Sequence, residues 1–162
     1  MFVIARATTY ATLFVGLIFI YLPGRVLTAA GVIRPPTTHW PQIAGIAVAS
    51  LGAALALWCA SVFVRIGKGT PAPFDPPRRL VTLGPYRLVR NPMYIGAGLA
   101  MTGLSLFYGS LGLLAYGCGF LLLAHCFVMF YEEPALRRSF GREYRAYCDR
   151  VRRWWPHLGG AH

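Results

Sequence analysis

An all-helical, multi-spanning membrane protein is predicted for this chain: four transmembrane helices in two hairpins plus a C-terminal amphipathic interfacial helix. Three observations predict it. Hydrophobic residues make up 56% and charged residues 13% of its 162 residues, too apolar a balance for a soluble domain of that length. Apolar stretches at 7–22, 40–64, 94–108 and 111–131 approach the ~20 residues that cross a bilayer. The charge that remains is confined to loops and the tail, and it is strongly one-sided.

The first hairpin, residues 1–64, joins its two spans through a connection carrying Pro23-Gly24 and Pro35-Pro36. The apolar start after Arg6 resembles a secretion signal, but Thr28-Ala29-Ala30 is a poor cleavage site and further spans follow, so a retained anchor is expected. The second hairpin lies within residues 65–162 and turns at Gly109-Ser110. Its first span is short and carries Gly96, Gly98 and Gly103, which permit close helix packing.

Four crossings put the N-terminus, the loop from Arg65 to Met93 and the tail on one side. That side holds every Lys and Arg except Arg25 and Arg34, so both termini are expected in the cytoplasm, with the plasma (inner) membrane as the site in a prokaryote. All five acids fall there too. A formal charge of +11 would suggest nucleic acid in a soluble protein; here it orients the chain and attracts anionic headgroups of the lipid bilayer, and no nucleic-acid partner is expected. Cys59, Cys118 and Cys126 sit in apolar stretches and Cys148 in the basic tail, without metal-ligand spacing, and no metal site is expected.

In the tail, Leu136, Phe140, Tyr144, Tyr147 and Val151 recur at helical spacing while arginines fill the other faces. Glu132 and Glu133 stand before Pro134 at its start, where acids complement the helix dipole, and Trp154-Trp155 would anchor its far end. Gly141 marks a potential bend. In the middle loop, several prolines lead into Arg79-Leu80-Val81-Thr82 and the turn signal Gly84-Pro85. Arg87 and Arg90 are spaced to share a helical face, and Asn91-Pro92 breaks the chain before the third span. Both clusters have plain structural readings, as an orienting basic loop and as helix-terminal acids. Yet two adjacent carboxylates at a membrane edge are costly unless a cation such as Arg87, Arg90 or a cationic ligand is near. His125 lies about two turns before Glu132, where a neutral histidine bonded to a neighbouring helix competes with a functional one.

Taken together, RLVTLGPYRLVRNPMYIG (79–96) and EEPALRRSFGREYRAY (132–147) resemble the C-terminal catalytic region of the isoprenylcysteine carboxyl methyltransferase and phospholipid methyltransferase superfamily. The resemblance covers about half the chain and rests on the order of its pieces. It implies that residues 65–162 form a catalytic region binding S-adenosylmethionine. Leu80, Val81 and Tyr86 would contact the cofactor, Asn91, Pro92, Met93 and Tyr94 would form the turn around it, and Glu132 would close the pocket. Tyr86, Tyr94 and Glu132 suit a sulfonium, Arg87 or Arg90 suits the cofactor's carboxylate, and Leu80 and Met93 suit an adenine. The methyl acceptor would be a small or lipid-like molecule. If it is a protonated amine, Glu132, Glu133 and His125 are candidate bases, the two glutamates being the catalytic candidates.

Two departures narrow what the resemblance implies. Asn91 stands where many members carry histidine, which removes any protonation role there. Val128 stands where the prenylcysteine enzymes carry a substrate-binding arginine, which counts against a prenylcysteine acceptor. Two alternatives accompany the methyltransferase reading. One is a sterol-reductase-like membrane enzyme using NADPH; the other is a non-catalytic membrane protein that retains the fold.

Overall fold

The computed structural model describes residues 15–32, 39–67 and 79–156. Among these the protein is all-helical, without a strand. The first half of the predicted first span, and the prolines of the middle loop up to Pro77, lie outside the described residues. Helix α1 covers Leu17–Ala29 and α2 covers Trp40–Gly67. A single 3-10 turn at Gly84–Arg87 precedes α3, Pro92–Tyr108. Helix α4, Leu111–Phe127, runs through a π-helical turn at Val128–Glu132 into α5, Glu133–Arg150. Two helical stretches, Trp40–Gly67 and Leu111–Arg150, are long and apolar enough to cross a membrane.

Each boundary has a local cause. The Gln42 side chain accepts from the His39 backbone N–H at 2.9 Å, capping α2, with Pro41 in the first turn where its missing N–H costs nothing. Pro92 opens α3 in the same way. Gly109 ends α3 in the left-handed conformation at φ 59°, and Ser110 Oγ accepts from Leu113 N at 3.3 Å to start α4. The Ser105 hydroxyl donates to the Ser110 carbonyl at 2.9 Å, tying the two ends of this tight hairpin.

The helices pack with small residues inward and large apolar ones outward. Along the α2/α3 seam, Gly45 and Gly52 face Gly96 and Gly103 so closely that a Cβ on Gly45 would stand 2.6 Å from Phe107 N, and one on Gly96 would stand 2.8 Å from Ala56 N. Dispersion and backbone proximity hold such a seam where lipid removes the hydrophobic drive between helices. Outward on α2 and α4 lie Trp40, Leu51, Leu57, Leu111, Leu122 and Leu123, all exposed. That inside-out pattern is what a hydrocarbon surround requires. Helix α1 rests on α4, where the Tyr116 hydroxyl donates to the Ile18 carbonyl at 2.8 Å and Phe19 meets Phe120 edge-on at 5.6 Å.

The tail forms the helix α5, continuous with α4. No break isolates it from α4, because the π-helical turn carries the axis on; the bend comes later, at Gly141, whose φ of 48° and ψ of −112° favour a residue without Cβ. After Val151 the chain doubles back over the start of α3. Arg90 N donates to the Arg152 carbonyl at 2.9 Å and the Asn91 side chain to the Arg153 carbonyl at 3.4 Å.

The seam makes a sharp prediction. Gly45→Ala should destabilise the protein by about 1–3 kcal/mol through overpacking. Gly119→Ala, where no atom lies within 4 Å of the new Cβ, should stabilise it by up to ~1 kcal/mol through helix propensity. Thermal unfolding of the detergent-solubilised variants checks both signs.

Candidate functional site

The middle loop is wedged between two helices. Val81 and Tyr86 are buried against Cys59 of α2, with Met93 packed alongside, whereas the neighbouring Leu80 turns to Tyr144, Tyr147 and Val151. The Tyr147 hydroxyl donates to the Tyr86 carbonyl at 2.6 Å, so α5 fixes the 3-10 turn directly. Arg87 and Arg90 do not share a face. The turn ends at Arg87, which stays exposed, and the chain then swings Arg90 inward.

Arg90 meets Glu133 at the centre of a polar cluster. Its Nη1 lies 3.1 Å from Glu133 Oε1 and donates to Cys148 Sγ at 2.8 Å. Arg153 completes the cluster from the tail, with Nε on Glu133 Oε1 at 2.7 Å and Nη2 on Oε2 at 2.9 Å, a bidentate fork. Glu133 is only 5% exposed. Burial alone would raise its carboxyl, but the Arg153 hydrogen bonds and the charges of Arg90, Arg153 and Arg137 outweigh burial and hold it below the ordinary carboxylate range.

The adjacent Glu132 has the opposite fate. Tyr94 donates to its Oε2 at 3.3 Å, and among the described residues no cation pairs with it. Burial lifts its carboxyl above the ordinary range, the Tyr94 hydrogen bond offsets only part of this, and the Glu133 charge adds to it. Arg90 Nε is buried without a partner. The site therefore presents an acid lacking a cation and a guanidinium N–H lacking an acceptor.

Trp154, expected as a lipid anchor, turns inward instead. Its indole N–H donates to His125 Nδ1 at 3.0 Å, and its ring lies 6.5 Å from that of Tyr94. Beneath it an open cleft of about 370 Å³ separates α3 from α4, lined by Ile95, Leu99 and Thr102 on one side and Leu121 and His125 on the other. Asn91 and Pro92 are buried in the turn above it. Of the expected residues the structure thus joins Tyr94 to Glu132 and Arg90 to Glu133. It adds Tyr147, Cys148, Arg153 and Trp154. The helical spacing of the tail marks the face of Tyr147; Arg153 is one arginine in a charged run and carries no distinguishing signal.

The Glu133 pairs should hold the tail in place. A group with a depressed carboxyl contributes stability that is complete above the ordinary glutamate value and is lost as pH falls through the lower folded value. Wild-type protein should therefore lose thermal stability between about pH 5 and pH 3, and Glu133→Gln should flatten that dependence. Glu133→Ala should cost about 3–5 kcal/mol, because it strands two guanidinium groups. Amide exchange across residues 151–156 should rise in Arg153→Ala, and unchanged protection there would show that the backbone bonds suffice.

Neither a curated protein nor a solved structure matches the chain. The model of one family, phospholipid methyltransferase, matches residues 40–143. That match begins at the first residue of α2, takes in the loop, Tyr94, Glu132 and Glu133, and stops just beyond the Gly141 bend. Over nearly two thirds of its length, then, the chain belongs to the phospholipid methyltransferase family, a family of membrane methyltransferases.

Proposed function

We propose that the protein transfers a methyl group from S-adenosylmethionine to a lipid-like acceptor at the cytoplasmic face of a four-span fold. One observation carries this reading: the half-buried Glu132 carboxylate is held by Tyr94 and, among the described residues, pairs with no cation, while Arg90 keeps a buried Nε without an acceptor. Those two vacancies complement a molecule bearing both a cation and a carboxylate. Glu132 with Tyr94 and Tyr86 would receive the sulfonium and amino end, and Arg90 the carboxylate. Leu80, Val81 and Met93 offer apolar surface for the adenine, and Asn91 and Pro92 shape the turn. When bound, the cofactor supplies an already activated methyl group. The chain's own task is to align the acceptor with it and to exclude water, which the inward Trp154 and the folded-back tail support.

The two glutamates divide the work. Glu133 is committed to Arg90 and Arg153 as a clamp, whereas Glu132, with its raised carboxyl, is the better proton acceptor for an ammonium nucleophile. A carboxylate or thiolate acceptor would need no base. The reductase alternative requires an additional basic cluster for a 2′-phosphate and a larger pocket, which this short chain is less able to build.

Calorimetric titration of the detergent-solubilised protein tests the reading. S-adenosylhomocysteine should bind and NADP should not; binding of NADP alone would overturn it. Glu132→Gln and Tyr94→Phe should each weaken S-adenosylmethionine binding about tenfold, or ~1.4 kcal/mol. Wild-type affinity in both would place the pocket elsewhere. Because a cation stabilises ionised Glu132 against the burial that raises its carboxyl, binding should release a proton over the pH range in which the free site is partly protonated, making the measured enthalpy depend on the buffer there, and Glu132→Gln should abolish that dependence. For topology, in a background without native cysteines, Pro36→Cys should label from outside and Asp75→Cys from inside. The reverse pattern would refute cytoplasmic termini.

A further inference from the structure

Two arginines compete for one carboxylate, and the outcome is uneven. Arg153 spans Glu133, with Nε at 2.7 Å from Oε1 and Nη2 at 2.9 Å from Oε2. Arg90 is left a share of Oε1, from Nη1 at the longer distance of 3.1 Å. The same Nη1 donates to Cys148 Sγ at 2.8 Å, while Arg90 Nε is buried without a partner among the described residues. A side-on fork uses the edge of the guanidinium that carries Nε; Arg153 spends that edge on Glu133 and Arg90 does not. Stability alone would choose the reverse. The Arg153 side chain is 28% exposed and the Arg90 side chain 13%, so water can satisfy an unpaired N–H of Arg153 more readily than one of Arg90. An orphaned N–H in the drier group is a local cost, and such costs collect where a site is held ready for a ligand.

The tail acts on Arg90 through two successive residues. The Arg152 carbonyl accepts from Arg90 N at 2.9 Å and so fixes the main chain there. Arg153 then occupies both oxygens on which the Arg90 side chain could otherwise close. We infer that Arg153 is a positioning residue for the methyl donor: by forking Glu133 it prevents Arg90 from doing so, and thereby keeps the Nε edge of Arg90 for the donor's carboxylate. This rests on the reading that gives that carboxylate to Arg90. Without Arg153, Arg90 turns its own fork onto Glu133, which satisfies both groups and closes the anion site. The role needs two bonds in fixed geometry, so lysine, which brings its charge to a single point, cannot fill it.

Calorimetric titration of the detergent-solubilised full chain tests this with two ligands: S-adenosylhomocysteine, and its decarboxylated analogue, which keeps the amino group. Wild-type protein should bind the first about tenfold more tightly than the second. Arg153→Ala and Arg153→Lys should each erase that preference by weakening S-adenosylhomocysteine alone. Adding Glu133→Gln to Arg153→Ala should restore it, because an amide offers one acceptor oxygen where the fork needs two. A tail that merely props up the pocket would make the double variant worse than the single. A second measurement needs no ligand. In protein carrying isotope-labelled arginine, the NMR signal of the Arg90 Nε–H, assigned by its loss in Arg90→Lys, should shift in Arg153→Ala as it bonds to Glu133, and return in the double variant. A preference that survives Arg153→Ala, full rescue by Arg153→Lys, equal weakening of both ligands, or an unmoved Arg90 signal would each overturn the proposal. Equal wild-type affinity for the two ligands, or none for either, would instead sink the reading beneath it, and the Arg90 signal would still show whether Arg153 holds Arg90 off Glu133.

Discussion

The Glu133 carboxylate, sunk between Arg90 and Arg153, is the contact on which the rest of the site depends. A buried carboxylate must find cations, and these two come from segments far apart in the sequence, one from the loop before α3 and one from the tail. Meeting at Glu133 obliges the loop, the junction of α4 with α5 and the returning tail to converge. Tyr147 on Tyr86 and the two backbone-directed bonds from Arg90 and Asn91 then follow as local consequences. The same convergence leaves Glu132 to Tyr94, with no cation on it among the described residues. Adjacent residues of identical type thus acquire opposite protonation tendencies from their neighbours alone.

The glycine seam supplies the second constraint. By letting α2 and α3 approach to backbone contact, it sets the start of α3, with Met93, against the buried Cys59 region of α2. Larger residues at Gly45 or Gly96 would push the helices apart, and the loop that bridges them would lose its footing. Large apolar side chains are spent outward, where they meet the surround and contribute little to placing the site.

Much of this was legible in the residues. Asn91-Pro92 and Gly109-Ser110 mark helix boundaries because their chemistry acts locally, and Gly141 announces its bend for the same reason. The pairing of Glu132 with the loop was anticipated from the hairpin bringing 84–94 and 131–133 to one end. Partner identity was less visible. Arg87 and Arg90 look equivalent by spacing, and only the short 3-10 turn decides that one faces out and the other in. Arg153 and Trp154 read as a basic, aromatic tail because nothing local to them encodes a reversal over α3; that reversal depends on Glu133 and His125, twenty and twenty-nine residues away.

The π-helical turn at Val128–Glu132 has a mechanical meaning. It widens the coil without interrupting it, so one continuous helical rod carries both the apolar length from Leu111 and Glu132, up to the Gly141 bend. Tyr94 belongs to a different rod, braced against α2. Any change in bilayer thickness that tilts the first rod against the second is thereby transmitted to the spacing of the Tyr94–Glu132 pair, which makes the surrounding lipid a lever on the site as well as its medium.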